Sequence, residues 1–156
     1  RPGAPPVPED EQIARVVPVV RALRAAEAPL RHVPVSVDTT RAAVARAALD
    51  AGADAINDVS GASDDPGMLA LAASSGAGLV LMHRLRPPAA DVYSDRYAAP
   101  PEYGPDPVAG GRGESGGVVA HVRAFLAARL RAALDAGVAP ERILLDPGLG
   151  FGKSVE

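Results

Sequence analysis

The chain has 156 residues, enough for about one domain. Its 16 Lys and Arg against 19 Asp and Glu give a formal net charge of −3, which excludes a generally basic nucleic-acid-binding protein. Apolar residues make up 47%, too many for a disordered chain, and the absence of cysteine excludes disulfides, thiolate zinc sites and a cysteine nucleophile.

No apolar stretch approaches the about 20 residues that cross a bilayer, and the first residues show no secretory leader. We therefore expect a cytoplasmic protein with no membrane or nucleic-acid partner.

Apolar periodicity predicts strands that alternate with helices along the chain. The predicted elements are, in order, a helix over 8–26, a strand over 33–37, a helix over 41–51, a strand over 55–59, a helix over 66–75, a strand over 79–82, a helix over 118–136 and a strand over 143–145. Thr39 or Thr40 is the predicted cap of the second helix, and Asp64 or Asp65 that of the third. This alternation is typical of a parallel sheet covered by helices.

Two of the helices end in the same five letters, ALDAG, at 48–52 and 133–137. Gly52 and Gly137 stand where a helix end requires a left-handed residue. Each is followed by a short apolar run that ends in an acid, which indicates a repeated unit of helix, turn, strand and polar tip.

Residues 84–117 break this rhythm, with six prolines, a Gly-rich end and Tyr93, Tyr97 and Tyr103. We interpret the segment as a long loop inserted into a single domain over 1–156, and expect it to be mobile and to tolerate shortening. The tyrosines are better explained by packing within the loop than by a stacking platform.

Polar side chains stand at the carboxyl end of each predicted strand: Asp38, Asn57, Asp58, His83 and Asp146. The carboxyl ends of parallel strands meet at one edge of a sheet, so these residues are expected to converge. A carboxylate that follows an apolar run is costly to bury unless it is hydrogen-bonded, and a planar amino-heterocycle with adjacent N–H groups would supply a matching pair of donors. The alternative is that each acid only caps the next helix. The succession of polar tips favours a (β/α)8 barrel, of which this chain is a partial segment, over an open doubly wound sheet.

The glycine-rich run at 148–154 is close to a phosphate-binding loop, but the first Gly of that motif would fall on Pro147. We favour a turn that lets backbone approach a ligand, with Phe151 as a flat apolar wall; an ordinary loop is the alternative. His83 is interpreted as a strand-end histidine rather than a site residue. His32 and His121 are interpreted as surface residues, since the three are too scattered for a zinc site.

Four ordered motifs resemble those of the dihydropteroate synthase family. They are V-S-V-D-T at 35–39, I-N-D-V at 56–59, L-M-H at 81–83 and L-D-P-G-L-G-F-G-K at 145–153, and R-P-G-A at 1–4 resembles the end of a further family loop. The resemblance covers nearly the whole chain apart from 84–117.

The resemblance implies a (β/α)8 barrel that joins hydroxymethyl-dihydropterin pyrophosphate to p-aminobenzoate, releases pyrophosphate and uses Mg²⁺. It further implies a homodimer and a target of sulfonamides. By motif position, the pterin site would contain Asp38, Asn57, Met82 and Asp146. Arg1, Gly150 and Phe151 would lie near aminobenzoate and pyrophosphate.

Some family features do not match. The first strand, with its N-x-T-P-D-S-F loop and metal-binding Asn, is absent, so we expect no metal site in this segment. The later strands, with a substrate-bridging lysine and an Arg/His pair, would lie beyond Glu156, and Lys153 is not that lysine. We therefore expect residues 1–156 alone to be inactive. A pterin-binding methyltetrahydrofolate:corrinoid methyltransferase and a non-catalytic homologue are the alternatives.

Overall fold

The computed structural model describes residues 3–92, 96–103 and 117–153, in which strands and helices alternate. The helices and strands, in chain order, are α1 Glu9–Ala25, β1 Ser36–Asp38, α2 Ala42–Asp50, β2 Ala55–Asp58, α3 Met68–Ser75, β3 Gly78–Met82, α4 Gly117–Asp135 and β4 Ile143–Asp146. All eight predicted elements are present, which confirms the expected alternation. β1 begins later than predicted because a 3-10 turn, Leu30–His32, and then Pro34, which has no N–H to donate, precede it.

The four strands form one parallel sheet in the order β1-β2-β3-β4. Because the strand order follows the chain order, crossovers of the usual right hand all lie on one face. A doubly wound sheet has helices on both faces. The observed order therefore favours the barrel segment over the open sheet.

The core lies between the sheet and its helices. Ile56, Leu79 and Leu81 of the sheet are at most 1% exposed, and they pack with Met68 of α3 and Ala48 of α2. The two-residue period of a strand turns the alternate positions to the opposite face. There Leu144 is 58% exposed, although it is a large apolar residue in the middle of β4.

Helix α4 packs inward through a narrow stripe of side chains. Val119 and Leu134 are 78% and 37% exposed, whereas Ala133 is fully buried. The inward stripe runs through Val122, Phe125, Arg129 and Ala133, at helical spacing. Arg129 takes part because its guanidinium donates to the carbonyls of Gly61 and Ala62.

A single carboxylate organises the starts of α2 and α3. Asp65 accepts a 2.8 Å hydrogen bond from the amide of Ala42 and a 2.9 Å bond from the amide of Gly67. These bonds hold the pKa of Asp65 below its usual range, the Ala42 amide contributing most. Asp65, one of the two predicted caps of α3, also accepts from the first amide of α2. Thr39, one of the two predicted caps of α2, accepts instead from the amide of Arg41. A cap supplied 23 residues away cannot be found from local sequence.

The ALDAG repeat forms the predicted helix ends. Gly52 and Gly137 have φ of +110° and +91°. In each case the next amide reaches back into the last helical turn, Ala53 to the carbonyl of Ala48 and Val138 to that of Ala133. This confirms the repeated unit.

The described parts of the long loop are tied to their surroundings. The Tyr97 hydroxyl donates to the buried carboxylate of Asp91, and the Tyr103 hydroxyl donates over 2.9 Å to the carbonyl of Gly152. These contacts agree with tyrosines that pack the loop. Tyr93 and residues 104–116 lie outside the described residues. Within the described part of the chain, no helix is long and apolar enough to span a membrane.

Candidate functional site

The four residues predicted for the pterin site share one face of the sheet. In the sheet register, Asp38 is paired with Asn57. Met82 is paired with Asp146, two residues nearer the carboxyl edge of the sheet. The strand period places all four on the face opposite the helices, near the strand ends. Of the polar residues at the strand ends, Asp38, Asn57 and Asp146 therefore stand on one face of the sheet, together with Met82.

Asp38 and Asn57 are in direct contact. The amide Nδ2 of Asn57 donates a 3.2 Å hydrogen bond to Oδ2 of Asp38. Loss of hydration among the packed strand ends raises the pKa of Asp38, and the Asn57 bond partly opposes this rise. Among the described residues, the side-chain carbonyl of Asn57 accepts no hydrogen bond, so the pair presents both carboxylate and amide oxygen to a ligand.

Asp146 is oriented by the loop that follows it. Its Oδ1 accepts a 2.7 Å hydrogen bond from the amide of Gly148, and its carbonyl accepts a 3.0 Å bond from the amide of His83. The side chain is half-buried beside Met82, which is 4% exposed. A carboxylate at an apolar strand end with one oxygen fixed can offer the other to a donor.

Two glycines of the run at 148–152 are required by close approach. A Cβ on Gly148, at φ +66°, would lie 2.0 Å from the carbonyl oxygen of His83, and one on Gly152, at φ +71°, would lie 2.2 Å from Cβ of Leu85. Gly150 has φ +86° and open space around it. Phe151, the predicted apolar wall, is half-buried in the same turn.

Asp58 does not join the other polar tips, so its inclusion among them was wrong. It is fully buried on the helix face, where Oδ1 accepts from both the amide and the hydroxyl of Ser60. Burial raises its pKa, and Oδ2 has no partner among the described residues. Its neighbour Asn57 faces the opposite way because adjacent strand residues alternate.

His83 and Lys153 form a buried pair behind the site. Lys153 Nζ lies 2.7 Å from Nδ1 of His83, while His121 packs edge-on against the His83 ring at 5.2 Å. Burial, together with the charge of Lys153, lowers the pKa of His83 to about 4, and burial lowers the pKa of Lys153 to about 8. At neutral pH the lysine is therefore the charged donor and the imidazole the neutral acceptor. His83 is a strand-end histidine, as interpreted, but His121 is half-buried against it and not a surface residue.

The same pair excludes the phosphate-binding interpretation of the glycine run. Lys153 is 6% exposed, and its ammonium group is hydrogen-bonded to His83 and to the Phe151 carbonyl. It therefore cannot serve as the lysine that reaches a phosphate in such a loop.

A cavity of about 700 Å³ opens beside Asp38, under the segment that precedes α1. Asp38, Arg41 and Arg84 line it, whereas Asn57, Met82 and Asp146 do not. Arg84 holds Asp64 through two bonds of 2.6 and 2.7 Å. This pair was not predicted from the sequence, because 20 residues separate its members and neither is part of one of the motifs.

Arg1, assigned from the resemblance to the aminobenzoate and pyrophosphate region, lies outside the described residues. In the ranges the structure describes, no three His, Cys, Asp or Glu side chains group as metal ligands.

Comparisons with known proteins agree on one family. The pterin binding enzyme family model matches residues 1–156. The chain is 40% identical over 157 residues to the dihydropteroate synthase of Synechocystis sp. and 43% identical over 159 residues to that of Mycobacterium leprae. It covers 100% and 99% of itself in these matches, but 46% of each relative, so it spans about half their length.

Solved structures give the same result. The Burkholderia cenocepacia dihydropteroate synthase complexed with 7,8-dihydropteroate superposes with a TM-score of 0.76 at 49% identity, over 99% of this chain and 47% of that one. The Xanthomonas albilineans synthase with 4-aminobenzoic acid gives 0.74 at 40% identity, over 99% and 46%. The parallel sheet and its helices are thus a segment of the barrel of these enzymes, and the chain belongs to the pterin-binding enzyme family, as a relative of the dihydropteroate synthases.

Proposed function

We propose that the protein containing this chain is a dihydropteroate synthase, which condenses hydroxymethyl-dihydropterin pyrophosphate with p-aminobenzoate. The observation that carries the proposal is the shared face on which Asp38, Asn57, Met82 and Asp146 stand at the strand ends. The two substrates are small molecules, and no nucleic acid or membrane is required.

The pterin half of the site has the chemistry for its ring. The carboxylate of Asp146 would accept from the ring N–H and the exocyclic amine, one donor to each oxygen, because these two groups form a fork like that of arginine. Oδ1 has a second lone pair for this beside its bond from the amide of Gly148. Asp38 and Asn57 would contact the remaining polar edge, and Met82 would pack against the ring. These roles are those that the motif positions imply.

The reaction places a further demand on the carboxylates. The bond between the pterin methylene and pyrophosphate breaks, and pyrophosphate leaves with the electron pair. The arylamine nitrogen then bonds to the methylene carbon and loses a proton. The cationic pterin that forms between these steps is stabilised by fixed negative charge, which Asp38 and Asp146 would supply.

The remaining parts of the activity concern the second substrate and the leaving pyrophosphate. Mg²⁺, which the family resemblance implies, would help to neutralise the leaving pyrophosphate. Arg1, Gly150 and Phe151 would lie toward aminobenzoate and pyrophosphate. A cytoplasmic homodimer and sensitivity to sulfonamides are parts of the same proposal.

Pyrophosphate release by the intact protein tests the proposal. We expect release only when the pterin pyrophosphate and p-aminobenzoate are both present, together with formation of dihydropteroate. Residues 1–156 alone should give neither product. Methyl transfer from methyltetrahydrofolate with no dihydropteroate formed would instead favour the methyltransferase, and pterin binding without either reaction would favour a non-catalytic homologue.

A further inference from the structure

Lys153 is held in a closed hydrogen-bonding site at the end of the glycine run. Its Nζ lies 2.7 Å from Nδ1 of His83, 2.8 Å from the carbonyl of His83 and 2.9 Å from the carbonyl of Phe151. An ammonium group has three donors, and these are three acceptors. The charge is thus fully satisfied although the side chain is 6% exposed.

These bonds join two elements of the site. His83 directly follows Met82 at the end of β3, whereas Phe151 belongs to the loop that follows Asp146. Within that loop, the amide of Phe151 donates to the carbonyl of Gly148, and the amide of Gly148 donates to Oδ1 of Asp146. A continuous chain of contacts therefore runs from Lys153 to the carboxylate assigned to the pterin.

The packing around Gly148 makes this arrangement tight. A Cβ placed there would lie 3.0 Å from Cγ of Met82 and 3.1 Å from Nζ of Lys153. The loop consequently lies directly against the end of β3, with the lysine beneath it.

We propose that Lys153 is a positioning residue of the pterin site, which fastens the 147–152 loop to the end of β3 and so fixes the orientation of Asp146. The inference rests on the proposed function, because it assigns Lys153 a part in the same site. Lys153 acts through Asp146 and touches no substrate. A buried structural lysine would affect stability alone.

The first test measures the loop without a ligand. In the intact protein, Lys153→Met keeps the length of the side chain and removes all three donors. We expect faster hydrogen–deuterium exchange at the amides of residues 148–152 and unchanged exchange in β2. Arg142→Met is the matched control, because it removes an exposed positive charge just before the same strand. Unchanged exchange of the loop in Lys153→Met would overturn the proposal.

The second test links the loop to Asp146. Calorimetric titration with 6-hydroxymethylpterin should show affinity reduced about tenfold or more in Lys153→Met, as for a site group moved out of position, and wild-type affinity in Arg142→Met. In an Asp146→Asn background the same lysine substitution should have a much smaller effect, since the two act in series. Equal effects of Lys153→Met in both backgrounds would overturn the positioning role.

If Lys153→Met does not fold, substitutions at His83 decide the matter. Asn and Leu both remove the ring, but Asn keeps an acceptor near the position of Nδ1. His83→Asn should bind the pterin more tightly than His83→Leu, and equal affinities would overturn the proposal. A wild-type protein that binds no pterin would instead overturn the proposed function, whereas wild-type binding that Lys153→Met leaves unchanged would overturn only the role of Lys153.

Discussion

Asn57 donates a hydrogen bond of 3.2 Å from Nδ2 to Oδ2 of Asp38, which joins the ends of β1 and β2 on the open face of the sheet. The bond fixes the rotamer of the amide, so its carbonyl oxygen is left to accept from a ligand. It also opposes the rise in the pKa of Asp38 that burial causes. The pair is therefore a polar group arranged before any ligand binds.

Removing the charge of Asp38 should weaken pterin binding without unfolding the protein. Asp38→Asn replaces one acceptor oxygen with a donor, and a hydrogen bond to a charged group is worth about 1.5–3 kcal/mol. We expect a loss of one to two orders of magnitude in affinity by calorimetric titration in the intact protein. Asp10→Asn, on the exposed start of α1, is the control and should bind normally. Equal affinities of the two variants would remove Asp38 from the site.

The buried carboxylate of Asp58 should make stability depend on pH. Because burial raises its folded pKa above 3.8, the folded state binds the proton more tightly than the unfolded state. Stability is then fully present below about pH 3.9 and is lost as pH rises through the folded pKa. Asp58→Asn keeps the acceptor for Ser60 and removes the charge.

Urea unfolding of the intact protein at several pH values measures this effect. The stability of Asp58→Asn relative to wild type should increase from pH 3 to pH 7. Asp58→Ala, which also loses both Ser60 bonds, should be less stable than Asp58→Asn throughout. A difference between Asp58→Asn and wild type that is constant with pH would contradict the account.

Glycine is required at position 148 more strictly than at 150. In Gly150→Ala the new Cβ lies in open space, so the variant should lose only the about 1–2 kcal/mol of stability that the left-handed backbone conformation costs a residue with a side chain. Gly148→Ala adds a contact of 2.0 Å with the His83 carbonyl, which must displace the loop. We expect the second variant to be the less stable in thermal unfolding and to lose more pterin affinity. The reverse order would mean that the 147–152 loop is arranged differently.

The long loop should tolerate shortening only in its later part. Replacing residues 104–114 with a short Gly-Ser linker leaves Tyr97 bonded to Asp91 and Tyr103 bonded to Gly152. Removing 92–114 deletes both tyrosines. We expect near-wild-type thermal stability for the first deletion and a lower melting temperature for the second. Equal stability of the two deletions would contradict this and would mean that the whole loop tolerates shortening, as its Pro and Gly content predicts.

Patterns confined to one segment could be predicted, because their physical cause is local. The apolar periodicity of α1, the left-handed glycines at 52 and 137 and the polar residues at the strand ends all depend on neighbours in the sequence. The period of two along the strands is enough to place Asp38 and Asn57 on one face once the register is known. The family motifs supplied the rest of the pterin set.

Long-range contacts could not be predicted in this way. The bond of Asp65 to Ala42, the pair of Arg84 with Asp64 and the pair of Lys153 with His83 join residues that no local pattern relates. For Asp58 the sequence prediction was wrong for a different reason. Asp58 is polar and lies at a strand end, like the other predicted site residues, but the alternation of side chains along the strand turns it into the core.

The proposed pterin site depends most on Asp146, whose carboxylate is assigned to the fork of N–H donors on the pterin. Breaking a buried charge-assisted pair costs about 2–5 kcal/mol, which corresponds to roughly one to four orders of magnitude in affinity. The most direct measurement is calorimetric titration of 6-hydroxymethylpterin into the intact wild-type protein and its Asp146→Asn variant, with circular dichroism as the control for folding. We expect the variant to fold normally and to lose most of its pterin affinity. Wild-type affinity in a folded Asp146→Asn protein would contradict it and leave Asp146 with the sole role of accepting the amide of Gly148.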